Sequence, residues 1–178
     1  MTGFLGQTFG NYRVERMLGR GGFADVYLGR HYLSNDDAVA IKVLRDPLTD
    51  EKSKVEFQKE ARMLLRLNHP GIVHLRDYGI RNDGVAHLIM DYAPNGSLDE
   101  KYPLGQRLAL PDVVSHVKQI AEALQYAHNE GVIHCDIKPA NLLLGNRNQI
   151  VIGDFGIATI AQATRTLRTG EPVGTIEF

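Results

Sequence analysis

The 178-residue sequence has a single cysteine, Cys135, so no disulfide can close within the chain and a reducing compartment is expected. It carries no excess of charge. Twenty basic against 21 acidic residues leave a net charge of -1, which offers no basis for a nucleic-acid partner or an anionic membrane surface. No run approaches the ~20 apolar residues that a bilayer span needs. Met1-Thr2-Gly3-Phe4-Leu5-Gly6 lacks the basic start and apolar stretch of a signal peptide. Repeats, low-complexity tracts and linkers are missing too. Together these absences predict a soluble, cytoplasmic chain with no membrane segment. What is there, 43% apolar and 23% charged residues, suits a globular protein with one sizeable core or two small lobes.

Alternation of Tyr12, Val14 and Leu18 with Arg13 and Glu15 predicts a strand over 12–18. Gly19-Arg20-Gly21-Gly22 interrupts it, and strands over 25–30 and 38–44 follow. Helical spacing of Phe57, Ala61 and Leu64 predicts a helix from about 50 to 67, stopped by Asn68-His69-Pro70-Gly71. Residues 72–78 and 85–90 read as two further strands. The turn-rich stretch Asp91-Tyr92-Ala93-Pro94-Asn95-Gly96-Ser97 is the expected boundary between lobes. Beyond it, Pro111 opens an amphipathic helix with Val113, Val117, Ile120 and Leu124 apolar, and Gly131 is its expected C-cap. Two short strands, 142–144 and 150–152, flank the turn Gly145-Asn146-Arg147-Asn148. Five strands and one helix followed by a mainly helical part make an α+β arrangement.

Gly19-Arg20-Gly21-Gly22-Phe23-Ala24 falls one residue short of G-x-G-x-x-G, a pattern that glycine-rich turns often meet without touching phosphate. A dinucleotide-binding loop joins a strand to a helix, whereas this loop joins two strands. A Walker-type G-x-x-x-x-G-K-[ST] is absent. A hairpin tip whose backbone N–H groups close over phosphates is therefore the better reading. Lys42 lies in the apolar strand Val39-Ala40-Ile41-Lys42, where a solvent-facing lysine is the ordinary expectation. Glu60 alters that, because it shares the stripe of Phe57, Ala61 and Leu64 and an ionised carboxylate there is costly unless paired. A Lys42–Glu60 pair, with the ammonium held toward phosphate oxygens, is predicted.

His134-Cys135-Asp136-Ile137-Lys138-Pro139-Ala140-Asn141 and Asp154-Phe155-Gly156 complete a set that, with the glycine hairpin, Lys42 and Glu60, resembles the protein-kinase family from Tyr12 to Phe178. The resemblance implies a two-lobe fold, with an N-lobe of 12–90 holding a five-stranded antiparallel sheet and one helix, a hinge of 91–97 and a partial C-lobe of 98–178. It implies Mg-ATP as cofactor and protein Ser/Thr hydroxyls as acceptors. Asp136 would take the hydroxyl proton, Lys138 would sit beside the moving phosphoryl group, and Lys42 with Glu60 would hold the phosphates. Asn141 and Asp154 would bind Mg²⁺ through hard oxygens.

Nucleotide contacts are implied for Leu18, Gly19, Arg20, Gly21, Gly22, Phe23, Ala24, Asp25, Val26, Ala40, Lys42, Met90, Asp91, Ala93 and Leu143. Leu64, Leu75, His134 and Phe155 match an apolar stack joining the lobes. Lys138 and Gly174-Thr175 look like the serine/threonine branch, and the overall texture is similar to bacterial members.

Three departures stand out. Ala24 replaces the last loop glycine, at a flexible tip where it should matter little. Cys135 stands where the family has an arginine that pairs with a phosphorylated activation segment; it is expected to be a small, partly buried residue. Activity is thus expected not to depend on phosphorylation of Thr159, Thr164, Thr166 or Thr169. Finally, the sequence stops before the family's Ala-Pro-Glu segment. The helix from Pro111 is then expected to leave four or five apolar side chains wet, at about 1.5–3 kcal/mol each. The alternative reading is thus a truncated or pseudokinase-like nucleotide-binding module with little or no phosphotransfer.

Overall fold

The computed structural model describes residues 3–155. The activation-segment threonines, Gly156 and Gly174-Thr175 lie outside these residues. Six antiparallel strands form one sheet in the order β1-β2-β3-β4-β6-β5, from β1 (Thr8–Phe9), β2 (Tyr12–Arg20), β3 (Ala24–His31), β4 (Ser34–Leu44), β5 (Leu75–Ile80) and β6 (Ala86–Asp91). The prediction of five strands omitted β1, which is too short to show a period. Phe9 nevertheless buries fully, edge-on to Phe4 at 5.3 Å and beneath the Arg81 guanidinium.

The sheet has a core on each side. Along β4, Val39, Ile41 and Val43 enter an outer cluster with Phe9, Val14, Tyr27 and Ile89, while Leu44 and partly buried Ala40 pack into the inner one. Side chains two apart share a face, so Lys42 is delivered to the inner side, where only 8% of it is exposed.

Helix α1 (Glu51–Leu65) begins where Asp50 accepts from the Ser53 amide at 2.8 Å and the Ser53 hydroxyl at 2.7 Å. It buries Ser53, Phe57, Ala61 and Leu64, with Phe57 edge-on to Tyr78 of β5 at 6.1 Å. The strand expected at 72–78 instead starts at Leu75. Ile72 and Val73 turn away from the sheet to meet Ile152, and the Val73 amide donates to its carbonyl at 2.9 Å.

Beyond β6 come α2 (Leu98–Lys101), absent from the sequence reading, and α3 (Leu110–Asn129), after which Gly131 adopts a positive φ of 75°. A hairpin of β7 (Leu142–Leu144) and β8 (Ile150–Ile152) follows a short 3-10 turn, Pro139–Asn141. Helix α3 buries Ala123 and Ala127, with Ile120 and Leu124 partly buried beside them. Val113 and Val117 are exposed. Leu110 and Val114 are exposed beside them, so four apolar side chains of α3 stand wet, as expected, while its alanines pack into the inner core. Among the described residues no helix is long and apolar enough to cross a membrane.

Candidate active site

Two joined cavities of about 590 and 600 Å³ run between the sheet and the β7–β8 hairpin, sharing Gly19, Val26 and Asp154 among their walls. The first is apolar above and below: Leu18, Val26, Ala40 and Met90 face Leu143, and Asp91 to Ala93 form one side. The second lies under the β2–β3 turn and is lined by Arg20, Gly21, Gly22, Phe23, Ala24, Lys42, Asp136 and Lys138. Asn141 borders the first. Every residue expected to touch nucleotide lines one cavity or the other except Asp25. That carboxylate is turned away to Arg45, accepting from Nε at 2.9 Å and Nη2 at 2.6 Å.

The turn is built from backbone. The Gly21 amide donates to Ala24 O at 2.9 Å and the Arg45 amide to Phe23 O at 3.0 Å. A Cβ on Gly19 or Gly22 would meet nothing within 4 Å, so both present bare peptide to open space. Ala24 is not at a flexible tip: it is 4% exposed, opens β3 and belongs to the inner core. A methyl group there fills a core position that glycine would leave empty.

The floor is organised by His134, which is 2% exposed. Its Nδ1 accepts from the Asp136 amide at 3.2 Å, so the proton sits on Nε2, which donates to Gly153 O at 2.7 Å. Its ring lies edge-on to Phe155 at 4.6 Å. The expected stack is formed in its outline, with Leu64, Leu75 and Phe155 in one buried cluster and His134 against Phe155. Cys135 at φ 63° and Asp154 at φ 59° occupy the left-handed region, which costs a non-glycine residue on the order of 1 kcal/mol or more and persists where surroundings impose it. Contrary to expectation, Cys135 is exposed, because that backbone kink turns it outward while its neighbours His134 and Asp136 point in.

Asp136 accepts from Lys138 Nζ at 2.9 Å and from Asn141 Nδ2 at 3.0 Å. Burial pushes its carboxyl up, but hydrogen bonds from Lys138 and Asn141, with the Lys138 charge, outweigh that and hold it below the usual carboxylate range. It is therefore ionised at neutral pH. Asn141 also donates to Asp136 O at 2.8 Å. Its amide nitrogen is thereby committed to Asp136, and its carbonyl oxygen is the end left to accept. With Asp154 at the cavity rim, this donor set is one carboxylate and one amide oxygen, and no group of three His, Cys, Asp or Glu suited to a metal occurs among the described residues. Such a pair fits Mg²⁺, which keeps waters and substrate phosphates in most of its sites.

The predicted Lys42–Glu60 pair is not formed. Lys42 Nζ binds Asp154 Oδ1 at 2.9 Å. Glu60 Oε2 is buried with no hydrogen-bond partner among the described residues. Burial and the neighbouring Glu56 push its carboxyl up to about 7, with Lys59 opposing. A near-neutral carboxyl tolerates the site that an ionised one would not. Sequence reading also passed over Ser97, Asp99 and Glu100 around α2, although Ser97-x-x-Glu100 is a capping-box pattern that signals a helix start. Glu100 accepts from the Ser97 amide at 3.0 Å, and Ser97 Oγ donates to Asp99 at 2.6 Å, placing both carboxylates at the cavity mouth.

Known proteins resemble this chain in sequence and in fold. The sequence is 36% identical over 189 residues to the serine/threonine-protein kinase pkn3 of Myxococcus xanthus, covering 98% of this chain and 34% of that protein. It is 34% identical over 170 residues to PrkC of Bacillus subtilis, covering 95% of this chain and 26% of that one. The chain thus spans about a third or less of these two relatives. The fold superposes on a crystal structure of the Mycobacterium tuberculosis PknI kinase domain with a TM-score of 0.76 at 33% identity, covering 97% of this chain and 70% of that one. The family description "Protein kinase domain" matches residues 12–178. On sequence and fold together, the chain belongs to the protein kinase domain family.

Proposed function

We propose that this chain is the catalytic portion of an ATP-dependent serine/threonine protein kinase. The observation that carries the reading is the Asp136 carboxylate, ionised and fixed by Lys138 and Asn141, facing a cavity roofed by bare glycine peptide. Adenine would lie between Val26, Ala40 and Leu143 beside Asp91 to Ala93, and the triphosphate would run beneath the hairpin toward Lys42. Asn141 and Asp154 would hold Mg²⁺, which when bound neutralises phosphate charge.

A Ser or Thr hydroxyl oxygen then bonds to the γ-phosphorus as the bond to the β–γ bridging oxygen breaks. ADP leaves with that electron pair, and Asp136 receives the hydroxyl proton. Lys138 places its ammonium beside the transferring group. Transfer of labelled γ-phosphate to a protein substrate, followed by phosphoamino-acid analysis, tests this. Phosphoserine or phosphothreonine is expected; exclusive phosphotyrosine, or no transfer from a chain that includes the remaining lobe, overturns it.

The Lys42–Asp154 pair favours a second reading, a module that binds nucleotide without transferring phosphate. In that arrangement the lysine and the metal-binding carboxylate neutralise each other in place of the phosphates. Saturable nucleotide binding with no transfer under the same conditions would establish it.

A further inference from the structure

Asp91 is both the last residue of β6 and the first of the connector that walls the cleft. Its ladder partner is Val39, and its amide donates to His74 O at 3.0 Å. The connector beyond it lacks packing from behind. A cavity of about 440 Å³ lies on its far side, walled by His69, His74, Tyr92 and Pro94, so there is open space on both faces of the segment. Its course is set by tethers at the two ends. The far end is tied by Asn95 Nδ2 to Gly145 O at 2.7 Å and by the Leu144 amide to Gly96 O at 2.9 Å.

At the near end, beyond the backbone bonds of Asp91, the side-chain tie is one guanidinium. Arg76 Nε donates to Asp91 Oδ1 and Arg76 Nη1 to Asp37 Oδ1, each at 2.5 Å. The other oxygen of Asp37 accepts from Tyr12 OH at 3.3 Å. Arg76 therefore spans from β5 to the end of β6 and to β4, locking the residue where the sheet ends and the unsupported segment begins. A planar fork fixes direction as well as distance, which a lysine ammonium does not.

We propose that Arg76 is a positioning residue for nucleotide binding, which sets the connector at the distance from Ala40 and Leu143 that a purine ring requires. The inference rests on the function proposed above. Calorimetric titration of the folded chain with Mg-ATP at 25 °C tests it. Arg76→Met is expected to raise the Kd about tenfold, the loss of one charged hydrogen-bond clamp. Arg76→Lys should fall between Arg76→Met and the parent. Tyr12→Phe, which trims the same cluster away from the connector, should leave Kd within about twofold.

An Arg76→Met protein with a parental circular-dichroism spectrum and an unchanged Kd overturns the proposal, as does Tyr12→Phe weakening binding equally. If Arg76→Met does not fold, Asp91→Ala cuts the same tether and should weaken ATP several-fold; parental affinity there is equally fatal. A parent chain that ignores Mg-ATP altogether fails the kinase reading itself, whereas a binding parent with indifferent variants fails only Arg76.

Discussion

Lys42 holds Asp154 at 2.9 Å across the cavity, while Glu60 lies buried on α1 with no hydrogen-bond partner for its Oε2 among the described residues. One cation has two candidate anions, and it takes the more exposed one, whose desolvation costs less; Glu60 answers burial by rising toward neutrality instead. Polyphosphate would bring a third claimant for the same ammonium.

Lys42→Ala should therefore cancel the thermal shift given by Mg-ATP. A ligand at a hundred times its Kd stabilises the chain by about 2.7 kcal/mol, or roughly 5–10 °C for a domain of this size. Differential scanning fluorimetry with and without Mg-ATP reads this directly. A shift that survives in the variant would remove Lys42 from the phosphate site.

Asp136→Ala should leave nucleotide binding within about twofold and lower phosphotransfer by ~10²–10⁴-fold, the usual contribution of a general base. Single-turnover transfer, measured beside titration with Mg-ATP, separates the two. Loss of binding and transfer together would mean that Asp136 supports the cavity rather than the chemistry.

Glu60 makes stability depend on pH. Its unfolded value is 4.5 and its folded value is raised to about 7. Folding therefore favours the protonated form; this contribution is intact below about 4.5 and is lost as pH rises through about 7. Glu60→Gln keeps the shape and removes the titration. Urea midpoints of parent and variant should coincide near pH 4.5 and separate by pH 8, with the variant the more stable. Parallel curves would show that Glu60 finds a partner when ionised.

Phe57→Ala should destabilise the fold by about 3–5 kcal/mol, since Phe57 is fully buried where α1 meets β5. Chemical denaturation measures it. A change under 1 kcal/mol would mean that α1 is not docked as described.

Periodicity carried most of the architecture. The 142–144 and 150–152 strands match β7 and β8 residue for residue, and the 50–67 helix erred only at its ends. Thr8–Phe9 escaped because two residues show no period, and Leu98–Lys101 because a four-residue helix hides in a turn-rich stretch. In the site, the strings from His134 to Asn141 and Asp154-Phe155-Gly156 were legible through the family resemblance that they carry. The partner of Lys42 was not. Glu60 and Asp154 lie 94 residues apart in sequence, and the choice between them turns on how far α1 stands from β4, which no local pattern encodes. Cys135 misled for a related reason, since a single left-handed residue reverses inside and outside.

The imidazole of His134 grips the amide of Asp136 with one nitrogen and the carbonyl just ahead of Asp154 with the other. Asp136, proposed to take the proton, and Asp154, proposed to face the metal, thus hang from a shared bracket and cannot drift apart independently. Phenylalanine at 134 would preserve the shape against Phe155 yet release both mounts at once, so a single exchange remote from any phosphate would blur two roles that chemistry treats as separate.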